Sequence, residues 1–284
     1  MVFASLVFIY LFLPLNILLY FVSKNITYRN IVLIVFSLFF YAWGEPVWVL
    51  LLILSATLDY FNGRTIEKLR GTRLSKLPLI FSIVVNLGLL ITFKYSGFIV
   101  SNINTVFGIL IPVPEFKLPI GISFYTFQTL SYVLDVYRGK VEAAKKYHNY
   151  LLYLSMYPQL IAGPIVRYTD VAAEIKQRKS TLSGIYYGAA RFCVGLGKKV
   201  LIANMAGKLA SGYMKGDIAS LPVTAAWFGA FMYMMQIYFD FSGYSDMAIG
   251  LGRIFGFKYP ENFNYPYISK SITEFWRRWH ISLS

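Results

Sequence analysis

The densest chemistry in this chain lies in Trp276-Arg277-Arg278-Trp279-His280, where an imidazole, two guanidinium groups and two indoles follow a very apolar polypeptide. Ionisable side chains are costly in or beside a bilayer, so such a cluster marks a site or an anchor. Ser271-Ile272-Thr273-Glu274 has the form of a capping box, a Ser followed three residues later by Glu. It predicts a helix from near Ile272 through His280, with Thr273, Trp276 and His280 on one face and Arg277 and Ser284 flanking it. An imidazole there would serve as a general base toward a hydroxyl or thiol. Neighbouring guanidinium groups would depress its pKa and keep it neutral. The same residue types also make an interfacial anchor at headgroup depth, and pattern alone leaves both readings open.

A second polar run, Asp240-Phe241-Ser242-Gly243-Tyr244-Ser245-Asp246, interrupts an apolar segment. Asp240 and Tyr244 share a helical face, whereas Asp246 is turned away from Asp240, so a carboxylate pair sharing one proton is not implied. Asp240 either orients a histidine or pairs with Arg277 or Arg278, or the run is a polar clamp between helices. A third break, Pro158-Gln159-Leu160-Ile161-Ala162-Gly163-Pro164 with Arg167, offers Gln159 and Arg167 as polar groups. Arg167 suits a phosphate-bearing donor or is only a topology signal. His148 reads as surface and Cys193 as a small packing residue. No Cys, His and carboxylate cluster has metal-ligand spacing, and there is no phosphate-binding glycine loop and no Gly-x-Ser-x-Gly elbow.

These groups need a scaffold, and composition names its class. Hydrophobic residues are 57% of the chain and charged residues 14%, against about 25% in an ordinary soluble domain. Uncharged stretches at Val2–Val22, Leu77–Phe93, Leu118–Leu134, Tyr147–Val166 and Ile218–Phe239 each approach the ~20 residues that span a hydrocarbon core. The expected fold is all-α, a polytopic helical membrane protein forming one domain over residues 1–284. Val2–Val22 reads as a permanent first helix and not a cleaved leader, since no basic segment precedes it. The net charge of +14 sits in short loops between apolar spans, which is a topology pattern and argues against nucleic acid as partner. Lys24 and Arg29, then Arg64 to Lys76, then Arg138 to Lys146 place alternate loops inside and the N-terminus outside. Gly97–Lys117, with Asn102, Asn104, Pro112 and Pro114, is expected to lie along or dip into the outer face. Tyr147–Val166 has basic flanks on both sides and is broken by prolines. It reads either as a re-entrant hairpin, whose open backbone must be satisfied by protein or a water-filled cavity, or as a kinked span. After Leu182 the spans carry Arg191, Lys198, Lys199 and Lys208, and many glycines that allow close helix packing.

With these residues in view, the chain resembles the membrane-bound O-acyltransferases, in the bacterial branch typified by the alginate O-acetylation membrane subunit. The resemblance rests on Leu118 to Gln128, Pro158 to Arg167, Tyr238 to Gly252, and Asn262-Phe263-Asn264-Tyr265-Pro266-Tyr267 running into Trp276–His280. It implies a funnel of transmembrane and re-entrant helices in the bacterial inner membrane. It also implies transfer of an acyl group, chiefly acetyl, from a cytoplasmic thioester such as acetyl-CoA or an acyl carrier to an exported polysaccharide, with a periplasmic partner and no bound cofactor. In that picture His280 is the catalytic or acyl-positioning group, and Trp276 and Trp279 wall a tunnel. Arg277 or Arg278 stabilises negative charge, Asp240 and Tyr244 hold the helix that carries His280, and Asp246, Gln159 and Arg167 lend support. The resemblance places a second histidine beyond Ser284, so these 284 residues are expected to be part of a longer family fold and not active alone. Outside this family, a transporter or channel and a non-catalytic scaffold are the competing expectations.

Overall fold

The computed structural model describes residues 1–160, 163–214 and 221–283. Within them the regular elements are helical, and the one extended pairing is an isolated antiparallel bridge between Phe263 and Trp279. Two helical stretches among the described residues, Ile26–Gly44 and Arg73–Phe107, are long and apolar enough to cross a membrane. The chain divides into two compact units. One comprises Ser23–Ile161 and Arg167–Lys176, the other Met1–Val22, Ala162–Val166 and Gln177–Ser284.

The first unit holds α2 (Ile26–Gly44), α3 (Trp48–Lys68), α4 (Lys76–Phe107), α5 (Ile122–Tyr137), α6 (Tyr147–Ser155), α7 (Tyr157–Leu160) and α8 (Tyr168–Lys176). Asn25 opens α2 by accepting from the amides of Thr27 and Tyr28, at 2.8 and 3.2 Å. The segment Gly97–Lys117, expected along the outer face, is helical as far as Phe107. α4 runs unbroken to Phe107 and stops at Gly108, whose φ of 64° suits a helix terminator. Asn102 stays in the helix by donating to Phe98 O at 2.7 Å, and Asn104 holds the following turn through Ile111. The break expected in Tyr147–Val166 is present, but it falls at Met156, ahead of Pro158, which lies inside α7. The Tyr157 amide freed by the break donates to Ser37 Oγ on α2 at 3.1 Å, so protein satisfies the open backbone. Ile161 and Ala162 of that motif lie outside the described residues.

Where α3, α4 and α5 meet, Asp59 is fully buried. It accepts from Ser82 Oγ and from Asn86 Nδ2 (2.8 Å), and Thr129 Oγ1 donates to Asn86 Oδ1 at 3.3 Å. Three helices are thereby linked through one carboxylate that has no ion-pair partner among the described residues. A buried polar cluster of this kind stabilises only while every member is satisfied.

The second unit holds α1 (Leu13–Phe21), α9 (Leu182–Gly197), α10 (Asn204–Met214), α11 (Val223–Ile254) and α12 (Ile272–Arg278). The expected first helix is shorter than Val2–Val22, since a π-helical turn at Phe8–Phe12 leads into α1. A second π segment, Lys198–Ala203, joins α9 to α10. The expected Ile218–Phe239 span begins on residues outside the described set. Its helix continues past Phe239 to Ile254, so Asp240–Asp246 is helix interior. Arg178 ties α1 to the end of α11. Its Nε donates to Tyr20 Oη and Phe255 O, both at 3.0 Å, while its guanidinium lies 4.3 Å from the Phe257 ring centre.

Replacing Asp59 with Leu strands the Ser82 hydroxyl, while Asn86 Nδ2 keeps Ser82 O at 2.9 Å, and it should cost about 1–3 kcal/mol for the group left unpaired. Asp59→Asn keeps an acceptor for Ser82 and should cost less. Thermal unfolding in detergent is expected to rank wild type above D59N and D59N above D59L. Equal midpoints for D59L and wild type would remove the cluster from the list of stabilising contacts.

Candidate active site

The site begins with two glycine contacts. A Cβ placed on Gly188 of α9 would lie 2.5 Å from Gly250 O of α11, and one on Gly195 would lie 2.5 Å from Gly243 O. Both distances are shorter than any side chain tolerates, so the two backbones touch directly, and they do so twice, seven residues apart on each helix. Between the contacts sit Arg191 on α9 and Asp246 on α11. Arg191 donates to Asp246 Oδ1 from Nε and Nη2, at 3.0 and 2.9 Å, while Lys198 Nζ reaches Asp246 Oδ2 at 2.6 Å. Arg191 also grips Glu261 with a two-pronged contact, 2.5 Å for Nη1 to Oε1 and a shorter one from Nη2. Two cations thus meet two carboxylates with no net charge.

Beside this knot lies a cavity of about 490 Å³ whose lining includes Arg191, Lys198, Asp246, Glu261, Asn262 and Tyr238. Ser242 and Ser245 also face it, and their hydroxyls and the Asn262 Nδ2 are buried without a hydrogen-bond partner among the described residues. Buried polar atoms are nearly always paired, so three unpaired ones around one cavity point to a polar occupant.

The segment bearing His280 closes next to this cavity. The capping box is present. Ser271 Oγ accepts from Glu274 N at 3.1 Å, and the Glu274 carboxylate accepts from Lys270 N at 2.9 Å, which holds its pKa below the usual carboxylate value, helped by Arg278. The helix does not run through His280, however. α12 ends at Arg278, because Trp279 turns extended to pair with Phe263. Asn264 N donates to Arg278 O at 2.9 Å and Ile281 N to Asn262 O at 3.0 Å. His280 is left at φ 48°, a left-handed conformation that costs a non-glycine residue about 1–3 kcal/mol. Thr273, Trp276 and His280 therefore do not form the expected helical face. Ser284, also assigned to it, lies outside the described residues.

The half-buried His280 ring stands edge to face on Phe241, with centres 4.8 Å apart, and its Nε2 is buried with no partner among the described residues. Its pKa is lowered, and burial is the cause, not the neighbouring arginines expected to lower it. Ile281, next in the chain, lines the cavity, as does Ser242, next to Phe241. Ser282 anchors the loop, giving its Oγ proton to Asn262 Oδ1 at 2.9 Å while accepting from Ile165 N at 2.9 Å. Residues just past Gly163-Pro164 thus dock two positions beyond His280.

The other expected residues divide. Trp279 is packed among Phe275, Phe263 and Tyr238, whereas Trp276 is exposed. Arg278 is held by Glu274 and by Asn264 O, and Arg277 is exposed with no ion pair among the described residues. Asp240 does not meet Arg277 or Arg278, as its partner is Lys199 at 2.6 Å. Tyr244 stacks on Phe3 at 4.6 Å, which joins α11 to the N-terminal segment. Gln159 and Arg167 belong to the other unit. Gln159 is buried and donates to Tyr153 O, and Arg167 is exposed, with its backbone amide capped by Asp170. Cys193, expected to be packed, is exposed on α9. Sequence reasoning missed Arg191, Lys198, Glu261 and Asn262 as site residues. The available signal was the equal spacing of Gly188, Arg191, Gly195 and Gly243, Asp246, Gly250 on two helices.

A family model described as MBOAT, membrane-bound O-acyltransferase family, matches residues 20–284. The whole chain aligns at 45% identity with the probable alginate O-acetylase AlgI of Pseudomonas aeruginosa and covers 55% of that protein. It aligns at 35% with the peptidoglycan O-acetyltransferase of Helicobacter pylori, covering 60% of it. The teichoic acid D-alanyltransferase of Bacillus subtilis matches 58% of this chain at 34% identity, over 42% of its own length. The chain thus spans a little over half the length of the curated relatives it matches in full.

The ion knot sets a stability ranking. Asp246→Ala takes the carboxylate from Lys198 and leaves Arg191 with Glu261 alone in a partly buried place, and it should cost about 1–3 kcal/mol. Asp240→Ala removes a more exposed pair and should cost about 1 kcal/mol or less. Gly195→Val keeps every charge but forces the helices apart, and it should destabilise as much as Asp246→Ala. Unfolding midpoints in detergent test the order, and D240A as damaging as D246A would reverse the importance assigned to the two carboxylates.

Proposed function

Since the chain belongs to the membrane-bound O-acyltransferase family, we propose that its 284 residues carry the acyl-transfer region of an O-acyltransferase that modifies an exported polysaccharide such as alginate. The observation that carries this reading is the His280 ring nitrogen, buried, unpaired among the described residues and mounted on strained backbone beside a polar cavity. Strain of this kind collects where geometry serves chemistry.

In the proposed reaction an acceptor hydroxyl gives its proton to neutral His280 as its oxygen attacks the thioester carbonyl of a donor such as acetyl-CoA or an acyl carrier. The tetrahedral oxyanion takes hydrogen bonds from nearby donors, for which Asn262 Nδ2 is the best placed chemically. When the carbon–sulfur bond breaks, the imidazolium returns its proton to the thiolate, so an ester and a free thiol result. Trp279, fixed in its aromatic cage, holds the His280 loop, and Trp276 borders the approach. Exposed Arg277 meets negative charge on the donor, and Arg278 keeps α12 closed. Asp246 sets the frame, with Asp240 and Tyr244 bracing α11, while Gln159 and Arg167 serve the donor side. No bound cofactor is required. We further propose a single multi-pass domain in the bacterial inner membrane, shaped as a funnel of transmembrane and re-entrant helices with its N-terminus outside. It would act with a periplasmic partner. Resemblance to the family places a second histidine further along, so transfer is assigned to the whole protein of which this chain spans the matched part.

His280→Ala in the full-length protein should lower polysaccharide acetylation by about 10²–10⁴-fold, the usual contribution of a positioned acid or base, while the protein stays in the membrane. Undiminished acetylation by that variant would remove His280 from the chemistry. The lowered pKa fixes the pH dependence. A histidine that stays neutral below its ordinary value of about 6.5 keeps the base active there, so the acid limb of the rate profile should lie under pH ~6.5. Folding stability should follow the same sign. The contribution of neutral His280 is complete above about 6.5 and is lost as pH falls through the lower folded value. A rate profile with its acid limb above 6.5 would contradict the burial seen at this ring.

A further inference from the structure

Outside the site, one basic turn stands apart. Between α3 and α4 the chain forms a cavity of about 360 Å³ whose lining includes Arg70, Thr72, Arg73, Ser75, Lys76 and Tyr137. Three of its lining residues are cations and none is a carboxylate. Arg70 is partly committed, donating from Nη2 to Val136 O at 2.8 Å, which closes the end of α5. Arg73 and Lys76 are exposed and have no ion pair or side-chain hydrogen bond among the described residues. Below the turn, Leu77, Ile80, Val84, Leu87 and Ile91 of α4 are all exposed. Their spacing of three and four residues draws one stripe about 21 Å long down the helix. α4 belongs to one of the two stretches apolar enough to cross a membrane.

We propose that this turn is a binding site for an anionic phospholipid, with the headgroup phosphate between Arg73 and Lys76 and an acyl chain along the Leu77–Ile91 stripe. A basic pocket at a helix end is suited to a lipid phosphate, and each cation near an anionic surface adds to the attraction. Neither half of the site alone selects such a molecule. A basic turn alone is a topology signal and an apolar stripe alone is ordinary lipid contact, but their continuity on one helix matches an amphiphile. Arg70 supplies the fixed wall of the pocket because its guanidinium is held on α5. The proposal does not depend on acyl transfer, because it concerns a different surface and binding alone.

The test uses the full chain purified in detergent, with retained lipid read by native mass spectrometry and affinity by titration with phosphatidylglycerol, phosphatidylcholine and inorganic phosphate. Wild type should retain phosphatidylglycerol in preference to phosphatidylcholine, and R73Q/K76Q should bind it about tenfold more weakly. R64Q/K68Q, which removes equal charge from the neighbouring end of α3 outside the pocket lining, should bind as wild type does. Three results would overturn the proposal. These are unchanged phosphatidylglycerol binding by R73Q/K76Q, equal losses in the two double variants, and displacement of the lipid by inorganic phosphate at matched concentration. The last would make the pocket a site for free phosphate.

Discussion

The close approach of α9 and α11 governs everything built around the candidate site. Two helices that touch through glycine backbones leave no room for side chains between them, so any polar group along that seam must find its partner at once. Arg191 and Asp246 do so because each lies three residues past a contact glycine, Gly188 on one helix and Gly243 on the other. The order of cause matters here. An ion pair alone is a weak fastener, since desolvation offsets most of its attraction. Backbone contact brings the helices together through dispersion, and the salt bridges then fix the register, because a slip of one residue would strand charges away from water. Lys198 and Glu261 complete the neutrality, and Glu261 draws in the Asn262–Asn264 segment on which the His280 loop closes.

A chain of local decisions leads from that knot to the imidazole. Glu261 is held, so Asn262 and Phe263 are placed, and Phe263 pairs with Trp279. The pairing ends α12 two residues short of His280 and drives His280 into left-handed backbone. Trp279 offsets the strain by entering a cluster of aromatic rings with Phe275, Phe263, Tyr238 and Tyr267. The Phe263 contact is edge to face and the Phe275 contact stacked, and such pairs are worth about 0.5–1.5 kcal/mol each beyond their buried area, comparable to the backbone cost. The ring nitrogen is then left buried next to a polar cavity by the geometry of its neighbours, not by a hydrogen bond of its own.

What could be read from the sequence was local. The capping box at Ser271 and Glu274 involves residues three apart, and it formed as the spacing requires. The all-helical class followed from long uncharged stretches, and a break within Tyr147–Val166 was expected from its prolines, though it falls at Met156, ahead of Pro158. What escaped was decided at long range. The end of α12 depends on Phe263, sixteen positions before Trp279, and no periodicity inside 271–280 carries that information. Within Gly97–Lys117, expected at the outer face, Asn102 and Asn104 gave no sign that α4 would continue through them to Phe107. Arg191 and Lys198 looked like impurities in an apolar helix because their partners lie about fifty residues away. The sequence leaves Asp240 open between a histidine, Arg277 or Arg278, and a clamp between helices, and its Lys199 partner fits the clamp, since a helix face tells which residues travel together and not which helix they meet.

The same seam bears on which class of membrane protein this architecture suits. A transporter must let one group of helices move against another, and its interfaces are accordingly loose or hinged. α9 and α11 are interlocked at two backbone contacts with the Arg191–Asp246 pair between them, and sliding would break both contacts and part that pair. A catalyst has the opposite need, because groups that stabilise a transition state must already be in place when charge develops. The Ser242 and Ser245 hydroxyls sit on a helix that cannot easily shift, Asn262 sits in the loop that Ser282 anchors, and the two hydroxyls and Asn262 Nδ2 are unspent among the described residues. Rigid walls with unspent polar groups favour a reaction chamber over a moving gate, and that rigidity originates in four glycines.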